Sequence, residues 1–339
     1  MILRIPTSPV VLTLSLMILG CGGFGTGNSE KNDAKKATLA TDFYAHRDLI
    51  SGVSVLPGEE KVLSTSWDGT IKTWDLSTGT SLLSIDQPYA MFVAMELSPD
   101  GKNVVTANQG QRPLSATGPF SFVSMWDIDT GVEARQYLTD EFLSSNDVDL
   151  SADGSLMAIA SRSNEAMVYD VVDGAMVQRF SGTQGDVETV AISPDNKWLV
   201  WGDGQKVYTQ EIETGRELWS AEFSSPIGAV FSPDGKYLAV GDNDNHSVRL
   251  LDAATGQLVR IVAQYDELGV ALLAKPKFSA NGTRIATAYL NKVSVWDVNS
   301  GKEIVQVEAD EWIHSFDFFS NGAKLITGGT RSITTWNLE

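Results

Sequence analysis

From residue 37 onward the chain never sustains the three-to-four-residue spacing of apolar positions that marks an amphipathic helix. Apolar and polar side chains alternate instead in short runs, and each run breaks at a cluster of Pro, Ser, Asp, Asn or Gly. Alternation with period two puts one set of side chains on each face of an extended segment, so the pattern predicts many short strands joined by tight turns.

Two kinds of turn recur in phase. The first has the form Ser-Pro-Asp-Gly: Ser98 to Gly101, Ser151 to Gly154 as SADG, Ser193 to Asn196 as SPDN, Ser232 to Gly235, Ser279 to Gly282 as SANG, and a shortened Ser320 to Gly322. The first repeat uses Leu56-Pro57-Gly58. Such residues supply the backbone angles of a tight strand reversal. The second kind follows a strand that ends in Trp74-Asp75, Trp126-Asp127, Tyr169-Asp170, Gln210-Glu211, Leu251-Asp252, Trp296-Asp297 or Trp336-Asn337. Successive copies stand 52, 43, 41, 41, 45 and 40 residues apart. This period predicts an all-β, seven-bladed propeller of four-stranded antiparallel blades.

On these motifs the chain resembles the WD40-repeat family from residue 38 to 339. The first repeat carries that family's blade-locking set of four, His46, Ser64, Asp68 and Trp74. The resemblance implies that these residues join the outer strands through buried polar contacts, which stabilise only when every donor and acceptor is satisfied. The other six repeats lack the full set. Packing between blades, through residues such as Val123, Val168, Val248 and Val293, is expected to hold them. Trp296, with Leu290 where the acid would stand, is expected to contribute mainly packing. The last repeat stops at Glu339, after its third strand, while ATLATDF at 37–43 resembles the fourth strand of other blades. In this family the N-terminal strand commonly completes the final blade, so the ring is expected to close there and leave no free edge.

The N-terminus has another character. Residues 1–20 hold one basic residue, Arg4, and an apolar stretch from Val10 to Leu19, too short to span a bilayer but suited to a secretory leader. Ile18-Leu19-Gly20-Cys21 resembles the bacterial lipobox, which implies cleavage before Cys21 and its acylation. Cys21 is the one cysteine, so no intrachain disulfide or thiolate cluster can form. The expected organisation is a signal peptide at 1–20, a flexible tether at 21–36 and the propeller at 37–339, lipid-anchored in a bacterial cell envelope on a periplasmic or extracellular face. Gly20, Gly22 and Gly25 match a dinucleotide-loop spacing, but neither strand nor helix flanks them.

A net charge of −18 repels phosphate backbones and anionic headgroups, so nucleic acid is not an expected partner and membrane contact is expected through lipid alone. The three histidines, His46, His246 and His314, have no metal-ligand spacing, and no nucleophile or zinc motif occurs. The run Asp242 to His246 lacks the glycine and distal glutamate of a calcium loop and reads as a turn. ETGRELW at 213–219 resembles repeats of quinone-cofactor propellers and of outer-membrane assembly lipoproteins, where a Trp caps each blade, but here it occurs once. Neither cofactor nor metal is expected.

Two insertions break the period. Residues 108–122 lengthen the second-to-third-strand connection of repeat two and carry Arg112, Leu114 and Phe120; residues 264–276 lengthen the link from repeat five to six and carry Tyr265 and Leu268. Both connections fall on one face, and apolar loops on a rigid scaffold are candidate partner-binding elements. The sequence therefore reads as a non-catalytic protein-interaction scaffold, with a small-ligand or catalytic propeller of lactonase or quinoprotein type as the alternative. A cluster of His, Arg or carboxylates in the central channel would favour the alternative; an apolar rim would favour protein binding.

Overall fold

The computed structural model describes residues 34–88, 90–109, 122–137, 145–181, 185–265 and 274–339. Seven sheets follow one another around a ring, each with four antiparallel strands, and the sixth carries a short fifth strand at its outer edge. In blade one the strands are Ile50–Val55, Lys61–Ser66, Thr70–Asp75 and Ser81–Asp86, from the channel outwards. Blades two to five repeat this order from Phe92 to Gln264, and blade six runs from Lys277 to Glu308.

Each blade is apolar on both faces, and the core is divided among the seven interfaces between neighbouring blades. Leu63 and Ile71 of blade one meet Phe92 and Val104 of blade two. Val168 packs towards blade four, Val248 towards blade six and Val293 towards blade seven, all essentially without solvent contact. Each such side chain contributes about 1.5–3 kcal/mol by its burial. The turns match their sequence signatures. In the Ser-Pro-Asp-Gly turns the serine hydroxyl donates to the acid, as from Ser98 to Asp100 at 2.6 Å, and accepts the Asn103 N–H at 2.9 Å.

Blade seven is built from both ends of the chain. Ser315–Phe318, Lys324–Gly328 and Ser332–Asn337 are its first three strands, and Thr38–Tyr44 is its fourth. Thr38 pairs with Asn337 and Tyr44 with Ser332, and the Thr41 and Thr335 hydroxyls lie 2.6 Å apart. Closure is thus where the sequence placed it. One difference is that Lys35–Lys36, assigned to the tether, pairs in parallel with the outer strand of blade six, Lys35 opposite Val305.

The outer rim supplies the reason. Four residues after each turn glycine between third and fourth strands, a side chain reaches the corresponding turn of the next blade. Arg135 donates to the carbonyls of Asp173 and Val172 at 2.8 and 2.9 Å, Arg260 donates to that of Asn299 at 2.8 Å, and Trp219 donates its indole N–H to Ala253 at 2.9 Å. At Gly256, with φ of 69°, a Cβ would stand only 2.5 Å from the Trp219 ring. Val305 holds the same position in blade six, but no turn joins the third and fourth strands of blade seven, because its fourth strand is Thr38–Tyr44. The short parallel strand takes the vacant place.

Candidate functional site

In blade one the indole of Trp74 donates to Ser64 Oγ at 2.8 Å, and Ser64 Oγ lies 2.7 Å from His46 Nε2. His46 Nδ1 stands 3.2 Å from Asp68, which also accepts from Thr70 Oγ1 at 2.6 Å and the Arg47 N–H at 2.9 Å. The serine hydroxyl therefore donates to Nε2, and Nδ1–H donates to the carboxylate. This is a Ser–His–Asp order, yet Ser64 and His46 have no solvent exposure and the serine oxygen already receives an indole proton. No substrate carbonyl can reach it, so the constellation locks the blade. Burial lowers the His46 pKa against the pull of Asp68. Burial pushes the Asp68 carboxyl up, but its hydrogen bonds outweigh this and hold it well below the usual carboxylate range.

The other blades keep more of this network than their sequences promise. Trp126 donates to Thr106 Oγ1 at 3.0 Å, Trp336 to Thr327 Oγ1 at 3.0 Å and Trp296 to Thr287 Oγ1 at 2.9 Å. The expectation that Trp296 contributes mainly packing is corrected, because Thr287 takes the place of the serine. Tyr265, whose hydroxyl is 2.9 Å from Thr287 Oγ1, stands where His46 stands in blade one.

The second candidate region is the channel. A cavity of about 430 Å³ opens on the face that carries the second-to-third-strand turns and the links between blades. Its mouth is aromatic and aliphatic: Leu49, Trp67, Leu290, Trp312 and Ile313 line it, and Trp67 and Trp312 are 42% and 56% exposed. Leu290 sits in the blade-six turn with φ of 55°, a conformation that costs a branched L-residue about 1–2 kcal/mol.

The deeper wall is charged. Lys275, from the link into blade six, crosses to blade three and donates to both carboxylate oxygens of Asp147 at 3.1 Å. Asp147 also accepts from Thr189 Oγ1 at 3.0 Å, and Thr189 Oγ1 accepts the Ala229 N–H at 2.7 Å, so blades three, four and five are tied in series. Lys277 lies 3.7 Å from Glu96, and Asp317 accepts from Ser54 Oγ at 2.8 Å. Asp149 accepts the Ile192 N–H at 2.7 Å; burial above all, then Glu96 and Asp147, push its carboxyl up to about 7 against the opposing Lys275. These groups are matched to one another. Among the described residues no set of three His, Cys, Asp or Glu is placed to hold a metal ion.

Residues 37–75 match the family model described as "WD domain, G-beta repeat", and residues 181–308 match that described as "Outer membrane protein assembly factor BamB". The chain is 23% identical to Protein groucho of Drosophila melanogaster over 87% of its own length and 39% of groucho's. It is 24% identical to Nuclear distribution protein PAC1 of Arthroderma otae, over 87% of this chain and 60% of that one. With the Guanine nucleotide-binding protein subunit beta of Arabidopsis thaliana it shares 23% identity over 84% of this chain and 78% of that one. The chain is a seven-bladed β-propeller with similarity to WD40-repeat proteins. It spans less than two thirds of groucho and of PAC1.

The propeller places the sequence-derived candidates unevenly. His46, Ser64, Asp68 and Trp74 come together in blade one. Tyr265 does not present a binding surface: its ring stacks on Tyr289 at 4.7 Å and its hydroxyl meets Thr287, so it is part of the packing between blades five and six. Arg112, Leu114, Phe120, Leu268 and Cys21 lie outside the described residues. Asp242 to His246 forms a turn, with Asp242 paired to Arg249 at 2.6 Å. Trp67 and Trp312 went unremarked in the sequence because each is an isolated Trp in a short turn, and only ring closure brings both to one mouth.

Proposed function

We propose that this propeller is a non-catalytic protein-interaction scaffold whose binding surface is the channel mouth, lipid-anchored through Cys21 in a bacterial envelope and facing an extracytoplasmic space. The observation that carries the reading is the pair of exposed indoles, Trp67 and Trp312, on the wall of one cavity. Neither indole N–H meets an acceptor among the described residues. Exposed Trp in a concave apolar setting is the residue type that most often dominates protein–protein binding energy. The match of residues 181–308 to an outer-membrane assembly factor family supports the envelope location. The lipobox-like Ile18 to Cys21 supports the anchor.

Crosslinking and capture from envelope extracts, with the full chain as bait, tests the surface. Trp67→Ala/Trp312→Ala should lose the captured protein, whereas Val172→Ala on the outer rim should retain it. Equal capture by both variants would remove the mouth as the binding surface. Mass spectrometry of the mature N-terminus tests the anchor, and an unmodified Cys21 would refute it.

A further inference from the structure

The channel mouth is not electrically neutral. Two cations, Lys275 and Lys277, point into the cavity, and each already has its counter-ion, Asp147 at 3.1 Å and Glu96 at 3.7 Å. Glu188 is different. It precedes the inner strand of blade four and lines the same cavity, yet its carboxylate meets no cation or hydrogen-bond donor among the described residues. The neighbouring guanidinium of Arg162 donates its Nε to Asn146 at 2.8 Å instead. Burial and the adjacent Asp186 push the Glu188 carboxyl up, against the weaker pull of Arg162. An anion in that condition gains when a cation arrives.

Ring order places the complement. In a ring of seven, blade four stands across the channel from blades one and seven. Trp67, in a turn of blade one, and Trp312, in the link to blade seven, therefore form the wall that faces Glu188 across the cavity. Indole faces attract cations, and a carboxylate on the far side adds direct charge pairing. His314, on the same wall, is held neutral-leaning by burial and does not compete.

We infer that the mouth recognises a protein segment through one basic side chain, Arg or Lys, held between the Glu188 carboxylate and the indoles of Trp67 and Trp312, with flanking apolar residues covering Leu49, Leu290 and Ile313. The inference rests on the mouth being an interaction surface. It adds the chemistry of the occupant, and charge complementarity is its basis: the chain carries −18, and among the described residues the unpaired charge lining the mouth is negative.

The test is selection of a displayed library of random linear peptides on the full chain, run in parallel on wild type, Glu188→Gln and Trp67→Ala/Trp312→Ala. Wild type should enrich peptides with Arg or Lys beside apolar residues. A synthetic peptide of the enriched sequence should bind Glu188→Gln about tenfold more weakly, the scale of one charge-assisted contact, and should lose binding to the double Trp variant. Glu188 makes no side-chain hydrogen bond or ion pair among the described residues, so its replacement leaves the fold intact, which a thermal melt checks. Peptides that need both tryptophans but carry no basic residue, or that bind Glu188→Gln equally well, would overturn the basic anchor while leaving the interaction surface standing. Absence of any Trp-dependent enrichment would overturn both.

Discussion

Trp201 donates its indole N–H to Gln210 Oε1 at 2.7 Å, with the two partners of the blade lock exchanged between strands. In blade one the indole is on the third strand and the acceptor on the second; in blade four the indole is on the second and the acceptor on the third. The bond survives because the two positions are diagonal neighbours on one face of paired strands, within reach of long side chains whichever strand carries the indole. Replacing Gln210 by Leu should leave the buried Trp201 N–H unpaired and cost about 1–3 kcal/mol, whereas Gln210→Glu, which keeps an acceptor, should cost less. Urea melts of the two variants check this. By the same reasoning Trp74→Phe and Trp296→Phe should cost similar amounts, since each removes one indole donor from a hydroxyl that keeps a second partner.

Asp68 and His46 give the fold an acid-sensitive seam. Asp68 titrates lower in the fold than in the unfolded chain, so its contribution is complete above the ordinary carboxylate range and is lost as pH falls through it. The His46 pKa is also lowered, so the unfolded chain takes up its proton first and stability starts to fall as pH drops below about 6.5. Asp68→Asn should be destabilised at pH 7 by about 1–3 kcal/mol, with the gap narrowing below pH of about 4. A constant gap across denaturant melts at pH 7, 5 and 3.5 would mean that the carboxylate charge does not hold the seam.

Asp149 acts in the opposite sense. Its carboxyl is pushed up to about 7, so the fold holds the proton over a range in which the unfolded chain has already released it. The penalty for its charge grows as pH rises from about 4 to about 7 and is constant above that. Asp149→Asn can keep an acceptor for the Ile192 N–H, and it should match wild type near pH 4 yet be more stable by up to about 4 kcal/mol at pH 8. A variant that is less stable at pH 8 would show that Asp149 is needed as an anion beside Lys275.

Leu290 couples stability to binding. Its φ of 55° suits Asn or Gly, and its side chain lines the channel mouth. Strain kept at a surface pocket is a common sign of function. Leu290→Asn should therefore raise stability by about 0.5–1 kcal/mol and weaken partner capture, and a melt combined with the capture experiment reads both. A gain in stability with unchanged capture would leave the strain without a functional reason.

Blade number, turn types and the closing strand were legible because each depends on residues close in sequence: a Ser-Pro-Asp-Gly turn specifies its own hairpin, and the period counts the blades. The lock in blade one was legible because His46, Ser64, Asp68 and Trp74 all fall within one repeat. The exchange at Trp201 and Gln210 was not, since the positions of indole and acceptor are reversed relative to the other repeats. Tyr265 read as a loop residue because the insertion after it hid its equivalence to His46. The Lys275–Asp147 pair joins blades six and three, and no local pattern announces a contact across a channel.

The ends of the chain provide the sharpest test of how the ring is held. Removing residues through Lys36 deletes a two-residue parallel pairing and an exposed ion pair, Lys36 to Glu308 at 3.6 Å, of the kind that contributes about 0–1 kcal/mol. That truncation should lower the melting temperature by only about 2 °C for a domain of this size. Removing residues through Tyr44 deletes the fourth strand of blade seven, with its hydrogen bonds to Ser332–Asn337 and the Phe43 ring that lies 5.5 Å from Trp74. Blade seven would then end in an unpaired third strand, and the Trp74 side of the interface with blade one would be opened to water. Because each blade is stabilised by two neighbours, the loss should not stay local, and the second truncation should abolish the cooperative melt or shift it far more than the first. Calorimetry of the two truncated chains decides the matter. Indistinguishable transitions would mean that the seam contributes no more than any free edge, and that the inter-blade packing alone keeps the ring closed.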